Sequence, residues 1–375
     1  MIETNYMNEF KISFCVVCMN RLHQLKQTLP QNINDNHSYS RVEFIVLDYN
    51  SKDGMEEWVQ KHMLDHIKSG LVTYYRTPDP VVFSHSHSKN MAFKLASGDI
   101  VCNINADHFI GKDFAYYVNE LFNEDAKIVI TPVDFFKTKP GYMLPTDVMG
   151  KVCVKKSDFN EITGFDESMG TYGFEDYDFI NRLEFIGLKR SFIENHSFLQ
   201  FIGHSNTERY SRDLITGNIY EFYVKYKTPS TTEILFLYKD GTVELGTLED
   251  NSAINSQDYK YAFLERSDRY EFKRKEMDWK AGFWNEDGND YHIFQKRFKK
   301  TQKDEYRLLI SEDNTEIYYL INEIDIIDEI GKFKFFYLGR SVMERNLKNK
   351  IATVNRKFGE GIVYKNFNSE NTIYI

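Results

Sequence analysis

Four stretches of this sequence concentrate side chains that can hold a cation or move a proton. Gly98-Asp99-Ile100-Val101-Cys102-Asn103-Ile104-Asn105-Ala106-Asp107-His108 runs from a turn through an apolar strand into an acid and an imidazole. A strand delivering such groups to a sheet edge can hold a divalent cation, with carboxylate suiting Mg²⁺ and imidazole shifting preference towards Mn²⁺. The same residue types also make ordinary polar turns. Glu175 and Asp176, in Gly173-Phe174-Glu175-Asp176-Tyr177-Asp178, open an amphipathic segment that runs to Ile186. Acids there are stabilised by the helix dipole; a Glu–Asp pair at a cleft mouth is equally a general base beside an acceptor-binding carboxylate. Leu47-Asp48-Tyr49-Asn50-Ser51-Lys52-Asp53-Gly54 is a polar turn in which Asp53 or Ser51 can cap the following helix. His85-Ser86-His87, read as extended chain, puts two imidazoles on one side, as a metal pair would.

Periodic apolar segments must position these groups. Ile12–Met19, Val42–Leu47, Leu71–Tyr75, Ile100–Ile104 and Ile128–Thr131 are short buried-strand runs. Met55–Ile67, His87–Ala96 and Phe114–Phe122 show helical spacing between them. Such alternation predicts an α/β domain with a mainly parallel sheet flanked by helices, whose ligand lies at the carboxyl ends of the strands. Cys15-Val-Val-Cys18 has the spacing of a metal or redox pair, but an offset of three along a strand puts the sulfurs on opposite faces. Buried structural thiols are expected instead.

All seven prolines, all four cysteines and nine of the ten histidines lie at or before Pro229. A domain boundary is expected in Tyr226-Lys-Thr-Pro-Ser-Thr-Thr232, giving a first domain of 1–228 and a β-rich accessory domain of 229–375. Glu233–Tyr238 and Thr242–Leu245 flank a hairpin signal, Lys239-Asp240-Gly241. Arg269–Arg274, Tyr291–Phe298, Tyr306–Ile310, Ile317–Ile321 and Lys332–Leu338 read as further strands, and Ser341–Val354 as a late helix. Trp279, Phe283 and Trp284 around Gly282 read as small-core aromatics, with a sugar-stacking surface as the alternative.

Composition limits the partners. The chain has 375 residues, 42% hydrophobic and 27% charged, which excludes a disordered protein. A formal net charge of −9 argues against a nucleic-acid binder dependent on a broad basic field, while leaving room for a small phosphate pocket. No apolar run approaches the ~20 residues of a membrane span. Met1 to Phe10 lacks a signal-peptide pattern. The expected location is cytoplasmic, with peripheral membrane association allowed.

The clusters together resemble a family. Asp48-Tyr-Asn-Ser, Ser88-Lys89-Asn90-Met-Ala, Gly98-Asp99 with Asn105-Ala-Asp107, Gly164-Phe-Asp-Glu and Gly173-Phe-Glu175-Asp176-Tyr-Asp178 occur in the order seen in GT-A (family 2) glycosyltransferases. The likeness is strongest to the β-1,4-galactosyltransferase and chondroitin-polymerase-like branch and covers about residues 10 to 215, including Phe201-Ile-Gly-His204-Ser205. It implies a role for each matched position. Asp107 would bind Mn²⁺ (or Mg²⁺) bridging the diphosphate of a UDP-sugar, with His204 as second protein ligand. Asn105 replaces the acid that usually meets the ribose. Asp48 would read the uracil, and Arg21 and Lys89 would lie near nucleotide or phosphate. Asp176 would be the base and Glu175 would hold the acceptor sugar. His108 stands where many relatives carry another acid.

The implied activity is metal-dependent, inverting transfer of a hexose, galactose or N-acetylgalactosamine favoured, to a saccharide acceptor. Two alternatives stand beside it. Asp107-His108 with His204 is not far from the Asp-x-His of retaining polypeptide N-acetylgalactosaminyl transferases. The amide at Asn105 also suits a non-catalytic module that binds nucleotide or glycan.

Overall fold

The computed structural model describes residues 8–132, 148–169, 173–203, 217–228, 231–249, 280–323, 326–327, 338–339 and 341–375. Two units divide the chain: Met1–Gly203 with Val342–Ile375, and His204–Ser341.

The first unit is an α/β sandwich. Its elements begin β1 (Ile12–Cys18), α1 (Leu22–Asn36), β2 (Val42–Tyr49), α2 (Met55–His62), α3 (Leu64–Lys68) and β3 (Val72–Thr77). They continue with α4 (His85–Leu95), β4 (Ile100–Asn105), α5 (Phe114–Glu124) and β5 (Ile128–Pro132). After these come β6 (Cys153–Lys155), α6 (Lys156–Glu161), α7 (Glu175–Phe185) and β7 (Lys189–Ile193). β3, β2, β1 and β4 pair in parallel, as do β5 and β7, while β6 runs antiparallel between β4 and β5. The expected α/β sheet is therefore present, parallel at its centre and mixed overall. The expected single helix Met55–Ile67 is interrupted at buried Met63, where the backbone leaves helical geometry.

Alternation along the strands builds a core on each face. Phe14, Val16, Cys18, Phe44 and Val46 pack on one side with Leu25, Leu29 and Phe114; Cys15, Val17, Ile45 and Leu47 pack on the other with Phe93, Phe165 and Phe179. Cys15 and Cys18 thus lie on opposite faces, and all four cysteines are buried and free.

The second unit is a closed antiparallel barrel. Its strands are β8 (Ile219–Thr228), β9 (Thr231–Tyr238), β10 (Thr242–Glu249), β11 (Lys280–Asp287), β12 (Asp290–Ile293), β13 (Lys296–Lys303), β14 (Tyr306–Ser311) and β15 (Ile317–Leu320). The order is β10-β11-β12-β13-β14-β15-β8-β9, and closure removes free edges. Inward Tyr223, Leu235, Leu237, Tyr291, Phe298 and Leu309 fill it. The Lys239-Asp240-Gly241 hairpin forms as expected, with Asp240 Oδ1 accepting from Thr242 N–H at 2.9 Å. Tyr291–Phe298 is not one strand. Phe294 and Gln295 take φ of 50° and 68°, and that pair of left-handed residues folds β12 onto β13. Trp279 and Arg269–Arg274 lie outside the described residues, as does all of Lys332–Leu338 except Leu338, which is helical.

Two corrections concern the domain boundaries. The stretch 226–232 is no linker between domains, because β8 and β9 pair with each other through Thr228 and Thr231. Nor does everything beyond it belong to an accessory domain. Residues 342–375 return to the first unit, where β16 (Ile362–Lys365) and β17 (Asn368–Tyr374) extend the sheet in the order β17-β16-β3-β2-β1-β4-β6-β5-β7. β16 pairs Tyr364 and Lys365 with Arg76 and Tyr75, covering the edge that β3 would otherwise expose. The expected late helix ends early, with residues 341–348 helical and 351–355 not.

Candidate active site

Asp107 sits just past β4 on a loop whose backbone is held almost group by group. One stripe of α1, spaced by four, does much of this. Thr28 Oγ1 donates to the Ala106 carbonyl at 2.6 Å, and Asn32 Nδ2 to that of His108 at 2.9 Å. Asn32 Oδ1 accepts from Ile110 N–H at 2.9 Å. Asn36 Nδ2 donates to the Gly111 carbonyl at 3.0 Å, and Asn36 Oδ1 accepts from Ala115 N–H at 2.9 Å. From another side, Ile202 N–H donates to the Asp107 carbonyl and Phe109 N–H to that of Gln200, both at 2.9 Å. Buried Lys151 closes the arrangement, its Nζ donating to the carbonyls of Phe109 and Phe198. The loop is preorganised before any ligand arrives.

Sequence reasoning missed this stripe, although its signal was present: Gln24, Thr28, Asn32 and Asn36 are four buried polar residues at i, i+4, i+8 and i+12. Gln24 continues it towards the start of α1, but neither atom of its amide has a partner among the described residues.

A second constellation stands at the start of α7. Lys89 of α4 is 2% exposed and reaches both acids, with Nζ 3.0 Å from Glu175 Oε1 and 2.7 Å from Asp176 Oδ1. Burial pushes the Asp176 carboxyl up to about 6, with Lys89 opposing and Glu175 adding to the rise. Burial also acts to raise Glu175, but Lys89 and His85 outweigh it and hold that carboxyl well below the usual range. His85 Nδ1 lies 3.5 Å from Glu175 Oε1. Desolvation lowers the imidazole to about 4, and the charges of Glu175, Lys89, Arg21 and Asp107 all bear on it. These groups therefore share one electrostatic neighbourhood.

Gly150 joins the two constellations. A Cβ there would lie 3.2 Å from Asn105 Nδ2 and 3.3 Å from both Asn105 Oδ1 and Asp176 Oδ2. The amide ending β4 and the carboxylate opening α7 thus converge on one glycine. Asn103 Nδ2 fixes it, donating to the Gly150 carbonyl at 2.6 Å and to Asn105 Oδ1 at 3.2 Å.

The other expected residues that the structure describes have defined surroundings. Lys89, expected near phosphate, is committed to the acid pair. Asp48 is 1% exposed, and its oxygens accept from Ser51 N–H and Tyr74 OH, both at 2.7 Å, so its carboxylate is tied into the β2–β3 edge. Asp53 caps α1, accepting from Leu22 N–H at 2.8 Å, because α1 lacks a side-chain cap of its own. Arg21 occupies the residue before α1. His85 and His87 open α4 rather than an extended segment, so their spacing of two no longer aligns them. His87 is held by Tyr49 OH at Nδ1 (2.7 Å) and the Glu360 carbonyl at Nε2 (2.9 Å). His108 is fully buried, and its backbone bridges to Phe201. His204 lies outside the described residues.

No group of three or more His, Cys, Asp or Glu among the described residues could enclose a metal. Asp107 with the Asn105 amide nevertheless suits a hard cation that takes one protein carboxylate and fills its other positions with water and substrate phosphate.

This sheet, with its ligand groups on the β4 end and the α7 start, is the GT-A architecture. Residues 13–182 match the family model of Glycosyl transferase family 2. Similar solved structures include the mannosyltransferase PcManGT from Pyrobaculum calidifontis in complex with GDP-Man and Mn²⁺, at 19% identity and TM-score 0.40, covering 49% of this chain and 55% of that one. Another is S. aureus TarS 1–349 in complex with UDP, at 16% identity and TM-score 0.41, covering 49% of this chain and 58% of that one. The chain thus spans a little over half the length of each. No curated protein matches the sequence. Among the described residues, no helix is long and apolar enough to cross a membrane.

Proposed function

We propose that the protein transfers a hexose from a nucleotide-diphosphate sugar to a saccharide hydroxyl with inversion at the anomeric carbon, using a divalent cation. UDP-galactose and UDP-N-acetylgalactosamine are the favoured donors. The observation that carries this reading is the convergence of Asn105 and Asp176 on Gly150. That convergence supports Asp176 as a base across from the strand end that would hold the donor.

In this mechanism the acceptor hydroxyl oxygen attacks the anomeric carbon, its proton passes to Asp176, and the bond to the diphosphate breaks. Glu175, kept ionised by Lys89, accepts a hydrogen bond from the acceptor sugar. Asp107 would hold the cation; a bound Mn²⁺ or Mg²⁺ would supply charge stabilisation for the departing diphosphate. Arg21, whose charge is felt at His85, would add positive charge near the nucleotide or phosphate. With one base and no enzyme nucleophile, a single displacement inverts the configuration. Asp48, held by Tyr74 and Ser51, would meet the base only through an oxygen lone pair left over from those bonds.

The decisive experiment screens UDP-sugars with Mn²⁺ for nucleotide release, alone and with oligosaccharide acceptors, against Asp176→Asn. Acceptor-stimulated release lost in Asp176→Asn, with an inverted anomer by NMR, is the expected result. Nucleotide binding without turnover would favour the non-catalytic module, and a retained anomer would favour the retaining transferase.

A further inference from the structure

Two helices carry the buried triad, α4 with Lys89 and α7 with Glu175 and Asp176. Both are fastened by the same distant piece of chain, which follows the barrel. Asn346 is 1% exposed, and its Nδ2 donates to Asp166 Oδ2 and Asp178 Oδ1, each at 2.9 Å. Asp178 lies on α7 two residues beyond Asp176 and also accepts from Arg182 Nε at 2.6 Å. Arg182 Nη1 in turn donates to the carbonyls of Ile162 (3.1 Å) and Ala352 (3.3 Å). Asn355 Nδ2 donates to the carbonyls of Thr163 (2.8 Å) and Phe165 (2.7 Å).

The piece then crosses to α4. Gly359 N–H donates to Glu167 Oε1 at 2.7 Å, and Asn90 Nδ2 donates to that same oxygen at 2.8 Å. The Phe358 carbonyl accepts from Lys94 Nζ at 2.9 Å. The Glu360 carbonyl can only accept, so His87 Nε2 carries the proton and Nδ1 accepts from Tyr49. Gly359 has φ of 54°, and a Cβ there would sit 2.8 Å from the Asn90 carbonyl carbon and Met91 nitrogen. The strap lies directly on the α4 backbone, at the residue after Lys89.

We propose that residues 346–360 set the geometry of the Lys89–Glu175–Asp176 triad, with Asn346 as a positioning residue; this rests on the transferase reading of that site. A neutral amide is required at 346. It faces Asp166 and Asp178, with Arg182 bound to Asp178 and Arg345 Nη2 3.5 Å from its own Oδ1. A carboxyl at this position could donate only while protonated, and ionised it would be a third negative charge in a buried cluster.

The test uses the full chain with Asn346→Leu, Asn346→Asp and Gly359→Ala, at temperatures where each is folded by circular dichroism. Transfer kinetics are followed across pH, and the His85 imidazole is titrated by NMR without substrate. Asn346→Leu is expected to lower kcat about tenfold or more with donor KM little changed, as misplacement of reacting groups does. It should also displace the His85 titration. Relative to wild type at each pH, Asn346→Asp should recover activity as pH falls towards the limb set by Asp176, a recovery that general loss of stability would not give. If Asn346→Leu does not fold, Gly359→Ala makes the same test from the α4 side. Lowered melting temperature alone, with kcat, pH profile and His85 titration unchanged, would overturn the proposal. A wild-type protein that moves no sugar, but whose His85 titration shifts in the variants, would defeat the transferase reading and leave the positioning role standing.

Discussion

Lys89 and Asp176 form an ion pair at 2.7 Å in which the lysine is almost completely buried. In the proposed mechanism the pair sets the pH at which Asp176 can act as base. Asp176 must be ionised to accept a proton, and its carboxyl is pushed up to about 6, so kcat/KM should rise with pH through that value and level off above it. Lys89 opposes the rise. Lys89→Met should therefore move the limb to higher pH by about one unit or more. A limb unmoved in a folded Lys89→Met protein would remove Asp176 from the role of base.

Asn105→Asp should tighten Mn²⁺ binding, because a second carboxylate joins Asp107 at the end of β4. It should also raise the acidic limb of activity, since the new charge faces Asp176 across Gly150. Metal titration and the pH profile of the same variant test both effects.

Gly150→Ala should lower kcat/KM by about tenfold or more through displacement of Asn105 and Asp176. A Cβ at 3.2–3.3 Å from three of their atoms needs only small shifts, so melting should change little. Steady-state kinetics beside thermal denaturation separate the two effects.

Gln24→Leu should stabilise the ligand-free protein by about 1–3 kcal/mol, the cost of a buried amide without hydrogen bonds. Denaturant unfolding measures this, and destabilisation would mean that the amide has a partner outside the described residues.

Much of the frame could be read from the residues. The strands β1 to β5 follow from apolar runs too short for helices, and the opposite faces of Cys15 and Cys18 from an odd offset along a strand. Asn105, Asp107, Glu175 and Asp176 were legible as strand-end and helix-start polar groups. The commitments of Lys89 and Asp48 were not, because a cation's choice between phosphate and carboxylate depends on what the fold brings beside it. The proline at 229 misled for a related reason. A turn inside a barrel and a linker between domains carry the same residue types, and only the pairing of Thr228 with Thr231 separates them. The return of β16 to β3 joins Tyr364 to Arg76, a separation no local pattern encodes.

That return also bears on how the protein is made. Tyr74 N–H donates to Asn366 Oδ1 at 3.0 Å, so a strand of the first unit completed early in synthesis waits for a residue 292 positions later. During that interval the ribosome must finish the whole barrel while the β3 flank stays open to mispairing. A nascent chain cut short anywhere before residue 362 would leave this flank bare and open to pairing with another strand.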